Sequence, residues 1–291
     1  MTPLVSILIP MYNHSRYICE CLESVSDMKY KNIELIICDD GSSDDSYIVA
    51  QKWLAINKVH NAKLLQQLNK GICKTLNRLI SESSGEFIII CASDDLLLPD
   101  AIDERLELFK GNNNIDAIIG DALLIDGNSK IISSSAIKSL YHASYEKLIL
   151  NIKKELVLNW CVVGPSLMVR KNIYNKIGFY DESLKIEDRD FYLRCLANDS
   201  ISFHPKLVAK YRLHDSNSSR GNERKFNIWK QVAISNIKNA SRFSGVMYLF
   251  LISHKMDLMI LSGNFGYLKT ISFYIWKAIR RSLSYVSSIF I

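Results

Sequence analysis

The chain has no cysteine pair at Cys-x-x-Cys spacing and no cysteine–histidine cluster, which excludes a zinc site built from neighbouring residues. Its seven cysteines, Cys19, Cys21, Cys38, Cys73, Cys91, Cys161 and Cys195, are odd in number and lie mostly inside apolar runs. They read as small apolar residues in a reduced compartment. No uninterrupted apolar run reaches the roughly 18 residues of a spanning helix. Met1-Thr2-Pro3-Leu4-Val5 lacks the basic start of a signal peptide, so a cytoplasmic location is expected. Internal repeats and low-complexity tracts are missing, which excludes a solenoid. Glycine is missing from Pro10-Met11-Tyr12-Asn13-His14-Ser15-Arg16, after the first apolar run. A nucleotidyltransferase would be expected to cradle a triphosphate there with a glycine-rich loop.

Acids are nearly missing from the C-terminal part. From Arg224 to Ile291 there are ten Lys/Arg and one acid, Asp257, a net of +9. The other 26 basic and 29 acidic residues give −3, and the two together recover the chain's +6. A slightly acidic body argues against a nucleic-acid groove, and a basic, aromatic tail argues for an anionic partner.

What is present is an alternation of buried-strand and helix patterns. Val5–Ile9, Ile33–Cys38, Lys63–Gln66, Phe87–Cys91 and the run from Ala117 to Gly120 read as strands. Between them, Tyr17–Val25, Asp44–Ile56, Ile72–Ser81 and Asp100–Lys110 read as helices. Strands that are apolar at most positions and separated by helices imply parallel pairing through right-handed crossovers. The expected fold class is therefore α/β, an open sheet whose ligand crevice lies at the carboxyl ends of its strands. Further on, Gly127–Ser144 reads as a polar hairpin or loop, Leu148–Leu158 as a helix and Cys161–Arg170 as a strand. Glu187–Leu196 reads as a helix, Ile201–Tyr211 as a strand, and the chain from Phe226 as helices separated near Gly245 and Ser262-Gly263-Asn264. The expected organisation is an α/β domain over 1–223 in two halves (1–120 and 121–223), then a helical tail over 224–291.

Polar residues gather at one expected sheet edge. The first strand runs into Pro10-Met11-Tyr12-Asn13, the second into Asp39-Asp40-Gly41-Ser42-Ser43-Asp44, and the third into Ser93-Asp94-Asp95. Singly, each is also a good turn or helix cap. Together they suit a divalent cation and a diphosphate, with Lys70 nearby to offset the acids. A second acidic group, Glu187-Asp188-Arg189-Asp190, opens the later helix, where negative charge also complements the helix dipole.

The runs Val5-Ser6-Ile7-Leu8-Ile9-Pro10-Met11-Tyr12-Asn13 and Glu34-Leu35-Ile36-Ile37-Cys38-Asp39-Asp40-Gly41-Ser42-Ser43-Asp44 resemble segments of family 2 glycosyltransferases. So do Asn69-Lys70-Gly71 with Asn77, and Gly85-Glu86-Phe87-Ile88 leading to Ser93-Asp94-Asp95, in the same order and spacing as far as His214. The resemblance implies the GT-A fold, a Rossmann-like, mostly parallel sheet flanked by helices. It also implies an inverting transfer from a nucleoside-diphosphate sugar, with uridine the default base. Pro10, Tyr12, Asn13 and Asp39 would line the nucleoside pocket, with Asn69, Lys70, Gly71, Asn77 and Ser93 beside the donor. Asp94 and Asp95 would hold Mn²⁺ or Mg²⁺ and the diphosphate. The family often carries an aspartate two positions before Asp94. Ala92 stands there in this chain, which leaves open which of the two carboxylates binds the metal.

Asp188 matches the family's general base, which a sugar hydroxyl needs because it is a poor nucleophile near neutral pH. Glu187 beside it would tune that base or orient the acceptor. Arg212 and His214, two apart in an extended segment, would share a face and contact phosphate. Trp160, Gly164 and Pro165 fall where such enzymes build an acceptor site, with Trp160 either a sugar platform or a core residue. The expected partners are a nucleotide sugar and a saccharide acceptor, carried on a polyprenyl-diphosphate lipid in bacterial O-antigen, capsule or other surface-polysaccharide synthesis.

Tyr248-Leu249-Phe250, Phe273-Tyr274-Ile275-Trp276 and Phe290, interspersed with Lys269, Lys277, Arg280 and Arg281, are compatible with peripheral binding to the inner face of a membrane. They are equally compatible with helices packed on the body. A nucleotide-sugar-binding module without catalysis, and a nucleotidyltransferase, are the alternative readings.

Overall fold

Strands apolar at nearly every position form the centre of the sheet in a computed structural model that describes residues 2–57, 61–214, 222–263 and 268–289. β1 (Val5–Met11) is buried along its whole length, and β2 (Ile33–Asp39) and β4 (Phe87–Ile90) are buried at all but one position each. β1 pairs in parallel with β2 on one side and β4 on the other, and β3 (Ala62–Gln66) extends the parallel set. Their crossovers carry α1 (Ile18–Ser26), α2 (Ser46–Asn57) and α3 (Ile72–Glu82). Three parallel pairs therefore carry Met11, Asp39 and Ile90 to one edge, where the following polar loops begin.

The opposite edge is fixed by a buried carboxylate. Ser6 and Glu34 face each other across the β1–β2 register. Glu34 Oε1 accepts from Ser6 Oγ at 2.5 Å and from the N–H groups of Ser84 and Gly85 at 2.5 and 2.9 Å. Burial pushes the Glu34 carboxyl up, but these three donors outweigh it and its pKa falls below the ordinary value. A Cβ on Gly85 would stand 2.4 Å from Ser6 Oγ, so only glycine lets this loop close on the strand.

The second half departs from the parallel expectation. The sheet order is β3-β2-β1-β4-β8-β6-β9-β5, with β7 paired to β6. After β5 (Leu96–Leu97) and α4 (Asp103–Gly111), β6 (Ala117–Asp126) does not join β4. β8 (Leu167–Arg170) sits between them and runs antiparallel to both. β9 (Ile201–Leu213) then lies parallel to β6, so its carboxyl end returns to the edge that carries the polar loops.

Two other expectations are corrected. The 127–144 stretch does turn back as a hairpin, β7 (Ile131–Ser133) pairing antiparallel with β6, but it then adds α5 (Ala136–Tyr141), which was not expected. Asp121, in β6, stabilises the start of α5, accepting from Ile137 N at 3.1 Å and from Ser135 Oγ. That long-range cap has no signature in a local window. The expected strand over 161–170 is cut to its last four residues, because Gly164–Ser166 is a 3₁₀ turn around Pro165, which has no N–H for a ladder.

α6 (Tyr145–Leu158) and α7 (Ile173–Ile177) cover this half, and α8 (Asp188–Ala197) enters the core beneath them. The tail is helical: α9 (Asn222–Asn239), α10 (Gly245–Ile252), α11 (His254–Ser262) and α12 (Leu268–Ile289). α9 packs on α8 and α11, and α12 packs on α10 and α11. The Phe273 ring stacks on Trp229 at 4.6 Å between centroids. Gly245–Ser262 is apolar and long enough by composition to cross a membrane, with mean hydropathy 1.3. It is divided into α10 and α11 at Ser253 and holds the buried pair Asp257–Arg280 at 2.7 Å. Asn264 and Phe290, named above in the tail, lie outside the described residues.

Candidate functional site

The loop after β2 is built by its own acids. Asp39 is fully buried and accepts from Ser42 Oγ, from Ser42 N at 3.3 Å and from Gln66 Nε2 at 3.4 Å. Asp40 turns the other way and holds the 67–71 loop, accepting from Gln67 Nε2 and Lys70 N at 2.8 Å and from Gly71 N at 2.9 Å. Gly41, at φ +72°, would bring a Cβ within 2.6 Å of Asn69 N, so the two loops meet there only through glycine. Asn13, at φ 55°, ties the first loop to this one: Ser42 Oγ accepts from its N–H at 2.9 Å and its Oδ1 accepts from Ser43 N at 2.8 Å. Pro10 is buried at the end of β1, whereas the Tyr12 ring, Asn69, Lys70 and Gly71 stand exposed around the mouth of this cleft.

Asp94 is the centre of a second group. Its Oδ2 lies 2.9 Å from His214 Nε2, and its Oδ1 3.6 Å from His14 Nδ1. Ser93 Oγ is 2.8 Å from that same His14 nitrogen. One ligand atom from each of His14, Asp94 and His214 falls within 4.8 Å of the others, a compact set of two imidazoles and a carboxylate. That donor set fits a divalent cation of the Mn²⁺ type. Burial lowers the His14 pKa more than Asp94 raises it, which favours the neutral imidazole a metal needs. Burial pushes Asp94 up, but the His214 hydrogen bond and nearby His14 outweigh it, so its carboxyl lies below the ordinary range.

Asp95 does not join this group, which corrects its expected role as a second metal ligand. Its Oδ1 accepts from Arg212 N at 2.9 Å, and burial followed by the Asp94 charge pushes its pKa well up. Arg212 is corrected as well. Its side chain is fully buried and donates to the Asp94 carbonyl, Ser129 Oγ and Glu20 Oε2, each at 2.7 Å, while lying over the Tyr17 ring. The guanidinium is a brace under the Asp94 turn and does not face a diphosphate. His214, on the same face two residues on, does reach Asp94. Asn77 is corrected too: it clamps the 180–182 turn, donating to Tyr180 O and Glu182 Oε1 and accepting from Tyr180 N.

Across the crevice, Glu187 and Asp188 stand half-buried at the start of α8. Burial and then the Asp188 charge raise Glu187 to about 7. Burial also raises Asp188, opposed by the Arg189 N–H and guanidinium. Arg189 fixes this helix start by donating to Asn236 Oδ1 at 2.6 Å and to the Leu156 and Val157 carbonyls at 2.7 and 2.9 Å. It also lies over the ring of Trp160, which packs edge-on against Tyr192. Trp160 is thus half core and half wall, and Pro165 is buried. Gly164 is exposed, and a Cβ there would be 4.0 Å from Asp95 Oδ2, so the 160–166 segment borders the Asp94–Asp95 turn.

Tyr211 connects the two ends. Burial raises its phenol, and Asp95, Tyr141, Asp94 and Asp188 all add to the shift. Tyr141, pushed up to about 12 by burial and then Asp188, stands beside the same pair. Sequence reading missed His14, Tyr141 and Tyr211. His14 had a usable signal, its place in the loop after the first strand, whereas the tyrosines had none outside the fold. A separate cavity of about 350 Å³, lined by Gly85, Glu86, Arg170, Lys171 and Phe179, opens at the opposite strand edge, away from these acids and histidines.

The polar loops collected at the carboxyl edge of a parallel set, with a His/Asp cluster among them, belong to a fold of the GT-A type. The chain belongs to glycosyltransferase family 2, whose sequence pattern matches residues 6–178. It is similar to an uncharacterised glycosyltransferase of Rickettsia typhi, 31% identical over 75% of this chain and 66% of the relative. Across four Rickettsia relatives the matched region spans between 31% and 66% of their length. Two solved structures share the fold. One is Staphylococcus aureus TarS 1–349 in complex with UDP-GlcNAc, with TM-score 0.65, 19% identity, and 94% of this chain and 79% of that one covered. The other is the mannosyltransferase PcManGT of Pyrobaculum calidifontis with GDP-Man and Mn²⁺, with TM-score 0.66, 13% identity, and coverage of 99% and 85%. The chain is a glycosyltransferase.

Proposed function

We propose that this glycosyltransferase moves a sugar, with inversion, from a nucleoside-diphosphate sugar to a hydroxyl of a saccharide acceptor. The observation that carries the reading is the compact His14–Asp94–His214 cluster, with Tyr211 close enough to feel the charges of both Asp94 and Asp188. UDP is the default nucleotide, in keeping with the UDP-GlcNAc bound in TarS, and the acceptor proposed is a polyprenyl-diphosphate-linked glycan of a bacterial surface-polysaccharide pathway.

In this reading Asp39 accepts from the nucleobase and the Tyr12 ring packs on it, with Pro10 and Asn13 shaping the pocket. Lys70, in the exposed loop that Asp40 holds, faces the diphosphate, and Asn69 and Gly71 frame its backbone. His14, Asp94 and His214 would hold a divalent cation, and Ser93 would orient His14. Such a cation supplies charge neutralisation to the departing diphosphate. Asp188 takes the proton from the acceptor hydroxyl as its oxygen bonds to the anomeric carbon. The bond from that carbon to the diphosphate oxygen breaks on the opposite face, which inverts the centre. Asp188 lies in the first turn of α8, where the helix dipole favours the ionised form, so it is the base and the proton-prone Glu187 its neighbour. Trp160 and Gly164, with Pro165 behind them, border the acceptor. The domain division proposed is a donor half over 1–120, an acceptor half over 121–223 and the helical tail.

The test is thermal stabilisation of the full chain by UDP, GDP, CMP or dTDP, each with Mn²⁺, Mg²⁺ or EDTA. A nucleotide at about 100 times its dissociation constant adds roughly 2.7 kcal/mol of stability. A metal-dependent shift with one nucleotide, absent in Asp94→Asn, is expected. A folded protein that responds to none of the four would overturn the donor site. Nucleotide binding without any sugar transfer across an acceptor panel would make the chain a binding module.

A further inference from the structure

α12 is apolar on two opposite faces. At 100° per residue, Phe273, Trp276 and Arg280 share the face that packs on the body, where Phe273 meets Trp229 and Arg280 meets Asp257. The opposite arc carries Ile271, Ile275, Ala278 and Ile279. The three isoleucines are 54%, 56% and 45% exposed, although a solvated helix face has no need of them. Arg281 and half-exposed Tyr274 stand at one rim of the arc, while Lys277 lies toward the body with its Nζ 5.6 Å from the centre of the Trp229 ring. The helices α12 packs against add exposed Leu249 (63%) and Met259 (57%).

We infer that the outer face of α12 binds an anionic phospholipid surface, with Ile271, Ile275 and Ile279 entering the acyl boundary and Arg281 meeting the headgroups. Charge decides between a lipid and a second copy. The tail's only acid, Asp257, is buried on Arg280, so nearly all the charge the tail can present is positive. Two such faces repel each other, whereas an anionic bilayer attracts each of them. The placement deepens the lipid-linked acceptor reading and takes only its purpose from that reading, since lipid binding itself needs no donor or acceptor. A surface helix also differs from a span: the apolar stretch Gly245–Ser262 breaks at Ser253 and buries a charged pair against α12.

The experiment is co-sedimentation of the full chain with vesicles of phosphatidylcholine alone or mixed with phosphatidylglycerol. The variants are Ile271→Asp with Ile275→Asp, and Arg281→Gln. The nucleotide-induced thermal shift of each protein, measured without vesicles, reports folding and the donor site separately. The expected result is binding to the mixed vesicles only, weakened at high salt. The charge variant should lose about fivefold per residue and the aspartate variant more than tenfold, with unchanged nucleotide shifts. Equal binding by wild type and aspartate variant overturns the inference, as does equal binding to both vesicle types. It is equally overturned by a concentration-dependent dimer that the aspartate variant abolishes, or by resistance of the membrane-bound protein to alkaline carbonate extraction. Vesicle binding without any nucleotide shift would sink the donor reading and leave this one standing.

Discussion

Two pairs of adjacent carboxylates face the crevice, and their surroundings drive them apart. At Asp94–Asp95 the second acid is withdrawn into the fold by Arg212 N, and the first is left with two imidazoles that hold its pKa down. At Glu187–Asp188 no histidine intervenes; burial raises both, and the Asp188 charge carries Glu187 further, to about 7. Adjacent acids therefore yield a site suited to a cation at one end and a raised carboxylate pair at the other. The lesson is that the partner groups, not the acids, set the role.

The largest effect expected from breaking this contrast is at the base. Asp188→Asn should lower kcat by about 10³-fold, within the range general-base catalysis supplies. Nucleotide affinity should stay unchanged, and kcat with nucleotide titrations checks both. Loss of nucleotide affinity with kcat retained would assign Asp188 to the donor site.

Next in size is the brace. Arg212→Met leaves the buried Asp94 carbonyl without its side-chain donor and half-exposed Glu20 with Ser129 Oγ alone, and should cost roughly 2 kcal/mol of stability, measured by urea unfolding. A stable variant with weakened nucleotide binding would return Arg212 to the phosphate role expected from its sequence position. His14→Ala should weaken Mn²⁺ binding by about 10- to 100-fold, a magnitude typical for groups that support a metal site, as read by calorimetry without substrate. Unchanged Mn²⁺ affinity would leave Asp94 and His214 as the candidate ligands.

The smallest effect sharpens the second pair. A base works when deprotonated, so activity should rise with pH on a limb near 7 that belongs to Glu187 and Asp188 together. Glu187→Gln removes the neighbouring negative charge, lowers the Asp188 pKa and should move that limb to lower pH by about one unit. A limb that stays in place would remove Glu187 from the titration.

The first half of the domain, 1–120, was readable because its information is local. Val5–Ile9 and Ile33–Cys38 are apolar without alternation, a pattern that fits strands covered on both faces, and each runs into its own polar loop. The second half, 121–223, was less readable because its determinants are distant. β8 inserts antiparallel between β4 and β6, and α5 starts where Asp121, fourteen positions before Ser135, can cap it. The same division runs through the site. The acidic clusters were visible from order along the chain, and Asp39, Asp94 and Asp188 were singled out within them by the resemblance to family 2 motifs. The reassignment of Asp95 and Arg212, and the recruitment of His14, depended on which atoms burial left free.

By itself, the sequence determined the parallel strands, the edge on which their polar ends collect, the acidic residues there and the one-signed charge of the tail. Each of these follows from periodicity or from a count along the chain. Only the tertiary structure decided which acid keeps a low pKa, which arginine is a brace and which face of α12 is left without a partner. Those depend on desolvation and hydrogen bonding between residues as far apart as Asp94 and His214, which no stretch of sequence contains together.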